Sequence, residues 1–110
     1  MKKVYYTGTE RLGEEIRSHG LETVGGADWA QFRDGFRYED LKDYAYDEEV
    51  GAVISGLDHT VSYAKLSLAS IYIQRGAKWV ISNTDEFTIQ FGYRVPGNGL
   101  TVAAIENSLK

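Results

Sequence analysis

Three short stretches of this 110-residue chain carry residue types that do chemistry. The first is Gly56-Leu57-Asp58-His59-Thr60-Val61-Ser62-Tyr63, in which Asp58 and His59 leave an apolar run and precede a helix start. A carboxylate, an imidazole and the free N–H groups of a helix N-terminus could meet a ligand there. The same pattern serves turn chemistry, with Asp58 and Ser62 accepting from backbone donors and His59 in water. The second is Ser82-Asn83-Thr84-Asp85, also at a strand end. It matches neither a nucleophile elbow nor a phosphate loop. Loop capping and a strand-end contact from Asn83 to a substrate or partner domain both fit it. The third is Pro96-Gly97-Asn98-Gly99 before the last helix. Glycines at such a position can let backbone N–H groups cradle an anion, but Val102 stands where the third glycine of a dinucleotide fingerprint belongs. A structural turn is the plainer reading.

Other chemistries find no support. There are no cysteines, so disulfides, thiolate metal sites and cysteine nucleophiles are excluded. The second histidine, His19, falls at the end of the first helix, and no pair of histidines has metal-ligand spacing. No metal site is therefore expected in this chain. No Ser, His and Asp set can be assigned, and no pair of carboxylates has a context that marks acid and base.

The elements that must position these stretches follow from the chain's periodicity. Lys3 to Tyr6 is β-prone and ends at Thr7-Gly8. Thr7 and Glu10 suggest a capping box opening a helix over about Glu10 to Ser18, with Leu12 and Ile16 on one face and Gly20 as its stop. Leu21 to Val24 reads as a second strand, closed by Gly25-Gly26. Residues 28–49 hold Trp29, Phe32, Phe36, Tyr38, Tyr44 and Tyr46 among charges. They read as a long connection pinned across the sheet by its aromatics, with a helical turn over Asp40 to Tyr44, or as an exposed aromatic contact surface. Val50 to Gly56 is nearly unbroken apolar sequence, as a parallel strand covered on both faces requires. Ser62 can cap a helix from Tyr63 to Arg75, which Gly76 ends. A strand over Lys78 to Ser82, a loop over Asn83 to Gly99 and a helix over Leu100 to Leu109 complete the chain. Alternating strands and helices predict an α/β fold: an open, mainly parallel sheet flanked by helices, in one domain over residues 1–110.

Composition sets outer bounds. The chain is 43% hydrophobic and 25% charged, enough for a packed core. Its formal charge is −4 and its basic residues form no cluster, so no nucleic-acid footprint is present. No apolar run reaches the roughly 18 residues of a membrane span, and the start lacks a signal-peptide apolar core. A cytoplasmic location is the expectation.

The motifs in order carry more than any one alone. Val50-Gly51-Ala52-Val53-Ile54-Ser55-Gly56-Leu57-Asp58, then Tyr63-Ala64-Lys65-Leu66, then Ser82-Asn83-Thr84-Asp85, then Val95-Pro96-Gly97-Asn98-Gly99 resemble the C2-type, Rossmann-like cap of haloacid dehalogenase-superfamily phosphatases. The branch is that of 4-nitrophenylphosphatase, phosphoglycolate phosphatase, pyridoxal phosphatase and NagD-like proteins. Two departures stand out: the aromatic stretch over residues 28–46 has no clear counterpart, and Asn98 replaces a usual small residue.

The resemblance implies that the catalytic aspartates, the lysine and the Mg²⁺ site belong to a core domain surrounding the cap, since no Asp-x-Asp occurs here. It implies that both ends of this chain match the borders of the cap, which would be inactive alone. It places a substrate-specificity loop after Asn83, over Asp85, Glu86, Phe87, Phe91, Tyr93 and Arg94, facing a phosphorylated small molecule. The implied partners are the catalytic core and a second copy of the cap. The alternative is a free-standing flavodoxin-like small-ligand module or an interaction module using the same strand-end loops.

Overall fold

Branched and aromatic residues in Lys3–Thr7 and Val50–Ser55 form the two central strands, β1 and β3, of a four-stranded parallel sheet. The structure, a computed structural model, describes residues 3–26 and 35–110. β2 (Glu22–Gly25) pairs with β1 and β4 (Lys78–Ile81) pairs with β3, giving the order β2-β1-β3-β4. Helices α1 (Glu10–Ser18), α2 (Tyr38–Asp43), α3 (Tyr63–Gln74) and α4 (Gly99–Leu109) flank it, and an antiparallel hairpin of β5 (Phe87–Gln90) and β6 (Tyr93–Pro96) stands apart from it. The fold is the α/β architecture expected.

Strand alternation divides the core into two layers. Val4, Tyr6 and Ala52 face α1 and meet Ile16, with Leu12, Leu21 and Ile54 at the margin. Tyr5, Val50 and Val53 face the other way and pack against Leu68, Ala69 and Tyr72 of α3 and Ile105 of α4. Leu68 and Ile105 are essentially solvent-free, and each contributes about 1.5–3 kcal/mol by burial.

Helix boundaries follow local chemistry, with one correction. Ser62 caps α3, its Oγ accepting from Lys65 N–H at 3.2 Å. Gly20 and Gly76 follow the C-caps His19 and Arg75 at φ +82° and +112°, where a side chain would be strained. The capping box from Thr7 is absent: Thr7 is the last residue of β1, fully buried, and α1 begins after Thr9, whose side chain makes no cap bond. A threonine absorbed into a central strand cannot also reach a helix turn.

Two further expectations change. The supposed loop over Asn83 to Gly99 contains the β5–β6 hairpin. The helical turn in the aromatic stretch is α2, starting at Tyr38 rather than Asp40. The stretch itself divides. Tyr44 and Tyr46 are half-buried against Tyr72, with ring centroids 6.4 and 5.6 Å away. Tyr38 is exposed and meets the exposed Tyr63, hydroxyl to hydroxyl at 3.1 Å. Trp29 and Phe32 lie outside the described residues.

Candidate functional site: a hairpin rooted at the carboxyl edge of the sheet

In open parallel sheets ligands gather where the strand order reverses, outside the carboxyl ends of the strands. Here the reversal lies between β1 and β3. The two strand-end loops close on each other there: Gly56 N–H donates to Thr7 C=O at 2.8 Å. A Cβ built on Gly8 or on Gly56 would lie 2.7 Å from Leu12 Cδ2, so the Leu12 side chain fills the gap between the loops. That crevice is packed with protein.

The next loop is also committed internally. Asp58 is buried, and its Oδ1 accepts from Thr60 N–H at 2.8 Å and from Thr60 Oγ1 at 2.9 Å. Lys65 Nζ donates to Asp58 Oδ2 at 3.2 Å and to Thr60 Oγ1 at 2.8 Å. The two charged side chains retain 6% and 1% of their exposure. Lys65 C=O also accepts from the buried Tyr5 hydroxyl at 2.8 Å, and burial holds that phenol well above its ordinary pKa. A charged pair so enclosed fixes the path from β3 to α3. His59 faces solvent beside it.

Beyond β4 the chain turns outward, and two of the stretches singled out in the sequence come together. Gly99 N–H donates to Asp85 C=O at 2.7 Å and Gly97 N–H to Glu86 C=O at 3.1 Å. The approach is so close that a Cβ on Gly97 would sit 2.4 Å from the Asp85 oxygen. Asn98, 1% exposed, donates from Nδ2 to Ser55 C=O at 3.1 Å and to Asn83 C=O at 2.7 Å. The Asn83 side chain is exposed and accepts from Asp85 N–H at 3.2 Å, an Asx turn. The Gly99 and Leu100 N–H groups at the start of α4 are thus taken by the Asp85 and Gly97 carbonyls, and Pro96-Gly97-Asn98-Gly99 serves as a structural turn.

What this root carries is unlike the rest of the surface. In the hairpin register Phe87 pairs with Pro96 and Ile89 with Arg94, while Thr88 pairs with Val95 and Gln90 with Tyr93. Alternation puts Phe87, Ile89, Arg94 and Pro96 on one face, and these are all exposed. The opposite face is half-buried at Thr88 and Val95. The Arg94 guanidinium lies 4.5 Å from the Phe87 ring centroid, a cation stacked on an aromatic. No carboxylate lies within 4 Å of it among the described residues. At the tip Phe91 is 99% exposed and has φ +51°, followed by Gly92 at +84°. A bulky side chain in left-handed backbone is an outlier that costs free energy.

Of the residues named from sequence, the structure brings Asp85, Glu86, Phe87, Phe91, Tyr93 and Arg94 onto one hairpin and its root, with Asn83 at its base. Asp58 and His59 belong to the separate β3–α3 loop. Sequence reasoning missed Ile89, 64% exposed on the Arg94 face, and Lys65, whose charge in an apolar helix was the available signal. Among the described residues no group of three or more His, Asp or Glu side chains could hold a metal ion.

The geometry has counterparts in known proteins. The chain is 32% identical over 106 residues to the D-glycerol 3-phosphate phosphatase of Mycobacterium tuberculosis, a match covering 96% of this chain and 25% of that protein. It is 31% identical over 99 residues to the 4-nitrophenylphosphatase of Schizosaccharomyces pombe, covering 89% of this chain and 33% of that protein. The solved glycerol phosphate phosphatase from M. tuberculosis, in complex with magnesium, superposes with a TM-score of 0.73 at 30% identity, covering 97% of this chain and 27% of that one.

This chain is related to the phosphatases of the haloacid dehalogenase superfamily. A mutant of the thermostable p-nitrophenylphosphatase from Bacillus stearothermophilus, in the same superfamily, superposes with a TM-score of 0.70 at 27% identity, over 96% of this chain and 33% of that one. No protein-family model matches the chain. The chain spans a quarter to a third of the length of these superfamily relatives. Among the described residues no helix is long and apolar enough to cross a membrane.

Proposed function

We propose that this chain is the substrate-capping and specificity domain of a magnesium-dependent phosphomonoesterase of the haloacid dehalogenase superfamily, without catalytic turnover on its own. The observation that carries this reading is Phe91: an aromatic ring 99% exposed in left-handed backbone contributes nothing to this chain's own packing. A residue held at such a cost has its use outside the chain. The proposed partner is the catalytic core domain. The proposed ligand is the leaving group of a phosphorylated small molecule, held between that core and the hairpin. A second copy of the cap is a further partner in this reading.

On closure a cap excludes water from the reacting phosphate and contacts the leaving group. Phe87 and Ile89, with Phe91 at the tip, supply apolar cover for it, and Arg94 on the same face supplies a cation with no carboxylate within 4 Å among the described residues. Magnesium does not fit here: the described residues contain no cluster of acids or histidines to hold it. In this reading the ion and the nucleophile both belong to the core, and no step runs through this chain's carboxylates.

The direct assay is hydrolysis of 4-nitrophenyl phosphate by the isolated chain with added Mg²⁺. The expected result is no release of 4-nitrophenol above the buffer rate. Sustained turnover that follows the chain's concentration would overturn the reading.

A further inference from the structure

Asn98 sits where three separate segments meet. Its Nδ2 bridges Ser55 C=O at the end of β3 and Asn83 C=O at the exit of β4, while its own backbone caps α4. Those partners are 43 and 15 residues away along the chain. The flanking residues hold the hairpin's first strand, Gly97 through Glu86 and Gly99 through Asp85. The hairpin makes its ladder only with itself, so its tilt on the sheet is set at this root.

The side chain is not there to cap the helix, because it makes no cap bond. Nor is it there to complete its own hydrogen bonding: Oδ1 is buried and has no partner among the described residues. A buried acceptor without a donor is destabilising, and serine at the N-cap would avoid it while capping the helix. Both bonds Asn98 does make join the hairpin's root to the sheet.

We propose that Asn98 is a positioning residue that locks the β5–β6 hairpin at one angle to the sheet and so sets which leaving groups the hairpin accepts. The second half rests on the proposed role of the hairpin as a specificity element; the first does not. Ser55 C=O also accepts from Ser82 N–H at 3.0 Å, so the sheet keeps its own bond when Asn98 is removed. Loss of the amide therefore frees the hairpin and leaves the sheet in place.

Amide hydrogen exchange on the whole chain tests the lock, comparing the native protein with Asn98→Ala and Asn98→Ser. The serine variant keeps a helix-capping residue and guards against a folding failure of the alanine variant. Expected is at least about tenfold faster exchange at Thr88, Val95 and Gly97, whose N–H groups face the partner strand, with less than about twofold change at Tyr5 and Val53. Equal acceleration in sheet and hairpin would make Asn98 a plain core residue and overturn the proposal, as would an unchanged hairpin. The selectivity is read in a phosphatase carrying this chain as its cap. There Asn98→Ser is expected to narrow the spread of KM between large and small phosphomonoesters at least about threefold while kcat for the smallest substrate holds. A freed hairpin with an unaltered spread would overturn the selectivity claim. If deleting residues 87–96 also left the spread unaltered, the failure would lie in the hairpin's proposed role.

Discussion

Lys65 Nζ lies 3.2 Å from Asp58 Oδ2 with both side chains almost out of solvent, so the loop from β3 to α3 is closed by a buried ion pair. Thr60 Oγ1 completes the triangle, accepting from the lysine and donating to the carboxylate. Breaking one member leaves an uncompensated buried charge, which costs about 3–5 kcal/mol. Lys65→Met is therefore expected to lower urea unfolding stability by that amount. Adding Asp58→Asn should recover part of the loss, because the stranded carboxylate is removed. Salt should leave the native pair's contribution nearly unchanged, since it is shielded from ions.

Gly97 offers a second, independent check on the hairpin root. A methyl there would lie 2.4 Å from the Asp85 carbonyl oxygen, and both groups are backbone-bound. Relief requires the root to open, breaking the 2.7 Å bond from Gly99 N–H to Asp85. Gly97→Ala is expected to cost about 1–3 kcal/mol, read as a lower Tm, with amide shifts concentrated between Asn83 and Gly99.

At the opposite edge of the sheet Lys3 Nζ meets Asp47 Oδ2 at 2.7 Å. That bond, with help from Glu49 N–H, holds the Asp47 carboxyl below its ordinary value of 3.8, and it raises Lys3 above 10.5. A carboxyl with a lowered folded pKa stabilises fully above 3.8 and loses its contribution as pH falls through the folded value. The lysine's contribution is full below 10.5 and lost as pH rises through its raised value. Asp47→Asn should therefore lower stability at neutral pH and flatten the acid limb of a pH–stability curve below about pH 4. Because both groups are partly in water, the effect should shrink in high salt.

The sheet was legible because its signals are local. The branched run of β3, the Ser62 cap and the helix-ending glycines each state their role within a few residues. The hairpin was not, because its turn is Phe91-Gly92 rather than an Asn-Gly or Asp-Gly pair. Its strands are also only four residues long. The lock at Asn98 depends on carbonyls from distant segments, and no spacing rule reports such a meeting. Lys65 carried one signal, a charge in an apolar helix, but not its partner: a lysine on a helix ordinarily reaches water, and only the folded loop shows the carboxylate it meets. The resemblance to phosphatase caps pointed to the segment from Asp85 to Arg94, while the register that puts Phe87, Ile89 and Arg94 on one face comes from the structure alone.

Arg94 brings these threads to the proposed activity. Its guanidinium rests on Phe87 and has no carboxylate within 4 Å among the described residues, so its donors are free to meet an anion. An anionic leaving group should therefore be favoured over a neutral one of similar size, and Arg94→Gln should remove the difference without lowering stability by more than about 0.5 kcal/mol.

The most direct measurement replaces the matching segment of the M. tuberculosis D-glycerol 3-phosphate phosphatase with this chain and compares kcat/KM for phosphoglycolate and glycerol 3-phosphate. If this chain is a cap that sets selectivity, the ratio shifts toward phosphoglycolate by about tenfold or more, and Arg94→Gln returns it most of the way. An active chimera whose ratio equals that of the unaltered phosphatase would contradict the claim.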